Sequence, residues 1–235
     1  MTRHFGMLIP STNTTVEIEY NRLLPETLQV HVGRLGKGGD TPFSPSLDAD
    51  VDYQSKLRGT SRVEVIGLTQ TSASLFEEGY DDAVKQRMRK GAGVPAFTSA
   101  EAIGEAARAL GARRVGIVTP YSEQVISLAK RYYETRFGLQ VVAMEAFGAT
   151  DAYAIGGLTE SHATDAFARI DGPKVEALIV PGGAFQTMRH VAAWEKRFGK
   201  PVITTNQAAL WAAMVAMKVK TPLPGLGRLL ESLPA

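Results

Sequence analysis

Short, almost wholly apolar runs alternate along the chain with longer stretches whose apolar residues recur every three or four positions. The runs at 5–9, 64–68, 115–118, 177–180 and 202–203 are rich in β-branched and aliphatic side chains and bounded by Gly, Pro, Ser or Thr, which predicts strands. Between them Ala102, Ile103, Ala106, Ala107 and Leu110 step along one helical face, and 186–198 reads as another helix. Near-continuous hydrophobicity in the strands means burial on both faces. The pattern therefore predicts an α/β fold, with parallel sheets flanked by helices.

The order of these elements repeats. Leu-Ile-Pro-Ser-Thr at 8–12 answers Val-Thr-Pro-Tyr-Ser at 118–122, and 65–72 answers 177–183. Gly-Val-Pro-Ala-Phe-Thr-Ser-Ala-Glu-Ala at 93–102 answers Gly-Lys-Pro-Val-Ile-Thr-Thr-Asn-Gln-Ala at 199–208. Three matches in one order at similar offsets mark an internal duplication. Two pseudo-symmetric halves are expected, 1–95 with 204–235 forming one and 96–203 the other, with the active cleft between them. In each half small polar residues stand where a strand tip meets a helix start. Free N–H groups and positive helix ends there favour an anionic guest, a small carboxylate or dicarboxylate.

Composition narrows the chemistry. Across 235 residues, 26 Lys and Arg nearly balance 24 Asp and Glu, which argues against nucleic acid or an acidic membrane as partner. The longest apolar stretch, 208–217, falls well short of the roughly 20 residues a bilayer requires, and 5–9 is too brief for a signal-peptide core. There is no cysteine, so disulfides, zinc–thiolate sites, iron–sulfur clusters and thiol nucleophiles are excluded, in agreement with a cytoplasmic setting. The histidines, His4, His31, His162 and His190, lack metal-ligand spacing. Gly91-Ala92-Gly93 lacks the third glycine of a dinucleotide fingerprint, and no Walker A sequence occurs. No metal and no cofactor are expected.

The strand-tip motifs carry a resemblance. Pro-Ser-Thr-Asn-Thr-Thr-Val-Glu at 10–17 resembles the opening motif of maleate cis–trans isomerases, in the aspartate/glutamate (hydantoin) racemase superfamily with the arylmalonate decarboxylases. Gln-Thr-Ser-Ala-Ser at 70–74 is similar to a Cys-Thr-Ser stretch of that family. Val118-Thr119-Pro120-Tyr121 matches its active-site tyrosine motif, and Pro181-Gly182-Gly183 resembles the decarboxylases' Cys-Gly-Gly. The segments 201–211 and 225–229 are similar as well. The resemblance implies paired α/β halves, a carboxylate gripped by backbone amides and hydroxyls, and proton transfer beside it or thiolate attack on an alkene. It also implies assembly into homo-oligomers. Two cysteine positions are occupied here by Gln70 and Pro181, neither of which is a nucleophile, acid or base near neutrality. A family asparagine is replaced by Ala152, within Asp151-Ala152-Tyr153.

On this reading Tyr121 is the candidate proton donor or anion ligand, and Asn13, Thr71, Ser72, Gly182 and Gly183 are the candidate substrate-binding residues. Structural roles compete at each position. Asn13 can cap the following helix, Thr14 with Glu17 has capping-box spacing, and so do Thr98 with Glu101 and Thr204 with Gln207. Gly182 and Gly183 can simply make a turn, and Arg34 belongs at the cleft rim or in a structural role. The glycine-rich loop 33–45 can fold over the cleft as a lid. Lys85, Arg87, Arg89 and Lys90 suit a helix C-terminus. The expected function is an isomerase or lyase acting on a small carboxylate by decarboxylation, isomerisation or water addition, independently of cysteine. The alternatives are a catalytically silent carboxylate-binding or regulatory protein, and a hydrolase using Asp40 or His190 as base.

Overall fold

The computed structural model describes residues 2–39 and 43–234. Among them the chain forms β1 (Arg3–Pro10), α1 (Val16–Leu23), β2 (Leu28–Leu35), α2 (Asp48–Thr60), β3 (Ile66–Leu68), α3 (Ala73–Phe76), α4 (Tyr80–Ala92), β4 (Ala96–Thr98) and α5 (Ser99–Ala109). The second half runs β5 (Arg114–Thr119), α6 (Glu123–Phe137), β6 (Gln140–Ala146), α7 (Ala152–Gly156), α8 (Glu160–Ile170) and β7 (Ala177–Val180). It continues through a 3₁₀ turn (Met188–His190), α9 (Val191–Phe198), β8 (Val202–Thr204), α10 (Thr205–Ala216) and α11 (Arg228–Ser232).

These strands build two four-stranded parallel sheets of the same order, β2-β1-β3-β4 and β6-β5-β7-β8. The duplication read from sequence is thus a duplication of sheet topology. The inner strands match their apolar runs: residues 5–9 of β1, 115–118 of β5 and all of β7 are buried, whereas the edge strands β2 and β6 mix buried, half-buried and exposed positions. That mixture is why the edge strands do not stand out as apolar runs. β4 pairs with β3 (Leu68 opposite Thr98), so 96–98 belong to the first sheet and the chain crosses over after them rather than before.

Local signals account for the helix ends. Thr98 accepts the Glu101 N–H at 3.3 Å and caps α5, and the Thr204 N–H reaches Gln207 Oε1 at 3.3 Å at the start of α10. Gly93, with φ of 72°, ends α4 in the left-handed conformation that glycine adopts without penalty. The basic cluster before it is partly paired, Arg87 with Asp48 and Asp52 of α2 and Lys85 with Glu101 of α5. Helix α9 is shorter than the 186–198 pattern, because the 3₁₀ turn occupies its first turn. The two halves meet along α5 and α10, whose small buried alanines let the helices approach closely. No helix among the described residues is long and apolar enough to cross a membrane.

Candidate functional site

In each sheet the strand order reverses between the two central strands, and connections leaving their carboxyl ends diverge to opposite faces. A crevice therefore opens beyond the tips of β1 and β3 in one half and of β5 and β7 in the other. The halves face each other so that both crevices contribute to one cavity of about 280 Å³. Its walls are the turn after β1 (10–13), the tip of β3 (69–72), Tyr121 after β5, the start of α7 (151–155), Gly183 and Ala184 after β7, and residues from the 36–47 loop.

Asn13 shapes the turn it stands in. Its Oδ1 accepts the N–H groups of Thr15 and Val16 at 2.9 and 3.0 Å, capping α1. Those two backbone donors settle the amide's orientation, which leaves Nδ2, unpartnered among the described residues, for the cavity that Asn13 lines. The Thr14–Glu17 capping box does not form: α1 starts at Val16, and Glu17 instead pairs with Arg34. Arg34 also donates to Ser11 O and Asn13 O at 2.9 and 3.0 Å, so its role is to brace this turn.

At the tip of β3, the backbone N–H groups of Thr71 and Ser72 have no acceptor among the described residues, as befits a chain segment entering the short helix α3. The Thr71 hydroxyl is engaged within the protein. It joins Ser99 Oγ at 2.8 Å and Thr205 Oγ1 at 3.3 Å, and Thr205 Oγ1 accepts the Gly182 N–H at 2.7 Å. This buried hydroxyl chain ties the tip of β3 to the tip of β7.

The turn after β7 divides the predicted pair of glycines. Gly183 lines the cavity with its N–H and that of Ala184 unpartnered among the described residues, while Pro181 and Gly182 stand behind the wall. Gly182 is required by the turn itself. Its φ is 134°, and a Cβ there would lie 2.7 Å from Pro120 Cγ. Sequence reasoning missed what anchors this turn. Glu19 of α1, buried at 5 % exposure, accepts the N–H groups of Thr187 and Met188 at 2.6 and 2.8 Å and Asn206 Nδ2 at 2.7 Å. Asn206 Nδ2 also reaches Gly183 O at 3.1 Å. Burial pushes the Glu19 carboxyl above the usual carboxylate range despite these donors. A signal was present: Glu19 shares the buried face of α1 with Val16 and Tyr20, at three- and four-residue spacing.

Tyr121 is 4 % exposed and lines the cavity with Ser72. Burial raises its ionisation well above the ordinary tyrosine value, so the hydroxyl keeps its proton at neutral pH. Asn13, Thr71, Ser72, Gly183 and Tyr121 thus meet at one cavity, and Gln70 with them. Of the glycine-rich segment, Lys37, Phe43 and Ser44 line the cavity, while 33–35 complete β2. His190 does not line the cavity. Its Nε2 accepts from Arg189 Nε at 3.0 Å and its ring lies 5.7 Å from that of Trp194. Asp40 lies outside the described residues.

Two tandem α/β halves sharing a strand-tip cleft lined by backbone donors define the class of molecule, and sequence comparison gives the family. Residues 5–230 match the arylmalonate decarboxylase family model, and the chain belongs to that family. It is 27% identical to the maleate isomerase of Pseudomonas putida KT2440, over 96% of each chain. It is 26% identical to the arylmalonate decarboxylase of Bordetella bronchiseptica, over 98% of this chain and 97% of that one. The fold superposes on a maleate isomerase variant from Pseudomonas putida S16, solved with maleate, at a TM-score of 0.88 and 26% identity. That superposition covers 99% of this chain and 98% of the other.

Proposed function

We propose that the chain is a cysteine-independent isomerase or lyase that binds a small carboxylate or dicarboxylate in this cleft and reacts it at the adjacent carbon. Decarboxylation, isomerisation and water addition all fit that description. The observation that supports the reading is that Thr71 and Ser72 from one half and Gly183 and Ala184 from the other line a single cavity, with backbone N–H groups that have no acceptor among the described residues. Donors fixed by the backbone need no reorganisation as charge develops on a carboxylate during formation of an enediolate, and each strengthens as that charge grows. Asn13 Nδ2 adds a further donor. The names of the relatives support the same substrate class, maleate and arylmalonate both being dicarboxylates.

Tyr121 supplies the proton in this scheme. A hydroxyl held protonated by burial is a donor and not a base at neutral pH, so it serves the developing anion or the carbon that takes up the proton. The test is a panel of malonates, maleate and hydroxy-diacids assayed for turnover with wild type and Tyr121→Phe. The expected result is turnover of at least one member, reduced about 100-fold or more by the substitution. No turnover across the panel would sink the catalytic reading. A second reading, a silent carboxylate-binding protein, is favoured by one observation: Gln70 is committed to loop contacts and Pro181 carries no labile proton. It requires a diacid that stabilises the protein in a thermal-shift assay and is recovered unchanged. Homo-oligomer formation, implied by the family resemblance, belongs to the same proposal and is read by sedimentation velocity.

A further inference from the structure

The residue standing at the first cysteine position of the family is bonded to the loop above the cavity. Gln70 Oε1 accepts from the Ser46 N–H at 3.2 Å and from Ser46 Oγ at 2.9 Å, and Gln70 Nε2 donates to Ser44 O at 2.8 Å. All three bonds are largely shielded, Gln70 being 8 % and Ser46 7 % exposed. Nearby, Ser72 Oγ donates to Phe43 O at 3.2 Å, and the Phe43 ring meets the Tyr121 ring edge-on at a centroid distance of 5.0 Å. Phe43 sits at φ of 65°, a conformation that a non-glycine residue holds only when its surroundings impose it. Lys37 bridges to Ser46, and the Leu47 N–H donates to Gly36 O at 3.2 Å, so the two ends of the loop are joined just below the clasp.

We propose that Gln70 is a positioning residue whose amide latches the 43–46 segment to the tip of β3 and so seats Phe43 on Tyr121 as the roof of the cavity. A thiol at this position has no paired donor and acceptor with which to make these contacts. The wall that in relatives carries a reactive group is here given to shaping the cavity, and the proton chemistry is left to the Tyr121 side. That last step, and only that step, rests on the function proposed above.

Hydrogen exchange of the 43–47 segment tests the latch without any substrate. Gln70→Leu keeps the buried bulk and removes all three bonds, and Ser46→Ala removes the hydroxyl bond alone. The latch requires exchange in 43–47 to accelerate about tenfold or more in Gln70→Leu and less in Ser46→Ala, with exchange in the β1 and β5 strands unchanged. Gln70→Glu, which retains the acceptor and loses the donor, should fall between wild type and Gln70→Leu. On a substrate found by the panel, Gln70→Leu should raise KM about tenfold with kcat within threefold, the reverse of the Tyr121→Phe pattern. If the protein is catalytically silent, the dissociation constant of a stabilising diacid takes the place of KM. Exchange in 43–47 unchanged within twofold for both Gln70→Leu and Ser46→Ala overturns the proposal, whatever the panel shows. So does an unchanged KM or dissociation constant alongside accelerated exchange, since the roof would then be irrelevant to the ligand.

Discussion

Replacing Glu19 with alanine should cut loose the turn that sets Gly183 and Ala184 in the cavity wall. The carboxylate is the shared acceptor for Thr187 N–H, Met188 N–H and Asn206 Nδ2, all buried and all within 2.8 Å of it. Stranding a buried donor costs about 1–3 kcal/mol, and three are stranded at once. Against this stands relief of the carboxylate's own burial, the same cost that lifts its ionisation above the usual range. We expect a net loss of about 3–5 kcal/mol, a large share of the roughly 5–15 kcal/mol of a typical domain. Urea unfolding, followed by far-ultraviolet dichroism, measures it directly. Glu19→Gln should cost only about 1–2 kcal/mol, because an amide oxygen still serves the backbone donors and the Asn206 amide can rotate to present its unpartnered Oδ1. The sign of the pH effect is a second check. A carboxyl raised in the native state holds its proton where the unfolded chain has lost it. Its contribution is therefore full below the usual carboxylate value and declines as pH rises through the raised one. The advantage of wild type over Glu19→Gln should thus shrink from about pH 4 toward 7. A loss below about 1 kcal/mol for Glu19→Ala, or an advantage that grows with pH, would refute the clasp.

Three further outcomes follow from the same geometry. Gly182→Ala must force a Cβ against Pro120 at a φ of 134°, so it should cost about 2–3 kcal/mol in urea unfolding and weaken diacid binding, with an isothermal titration indistinguishable from wild type counting against it. Because burial raises the Tyr121 ionisation, any activity that depends on its proton should show no alkaline loss from this group near its ordinary value of about 10. A pH–rate profile in which Tyr121→Phe abolishes a loss near that pH would contradict the assignment. His4 Nδ1 and His31 Nε2 lie 3.0 Å apart, and burial, the His4 ring and Arg58 hold His31 below its usual ionisation. The native state then binds fewer protons than the unfolded chain. Stability from His31 should be intact above about pH 6.5 and fall on acidification, and His31→Gln should flatten the decline in urea midpoints between about pH 7.5 and about pH 5.

Much of the fold was legible because it is written in local hydrophobicity. The runs that became β1, β5 and β7 are buried on both faces, and the capping spacing at Thr98 is realised as a hydrogen bond to Glu101. Edge strands β2 and β6 were harder to see, since one face of each is exposed and their apolar runs are broken. The strand-tip location of Asn13, Thr71, Ser72 and Tyr121 was likewise legible, because turn residues after apolar runs mark strand ends.

What the amino-acid order determined by itself was the repeat, the positions of the strand tips and the absence of any thiol from them. Tertiary structure decided how each polar group at those tips is used. Gln70 is spent on Ser44 and Ser46, the Thr71 hydroxyl on Ser99, and the Gly182 N–H on Thr205, while the N–H groups of Thr71, Ser72, Gly183 and Ala184, residues of the cavity wall, have no acceptor among the described residues. The reason is physical. Strand and helix periodicities are set by neighbours a few residues apart, whereas a buried hydrogen-bond partner such as Glu19 for Thr187 is chosen only when the two halves close on each other and water leaves.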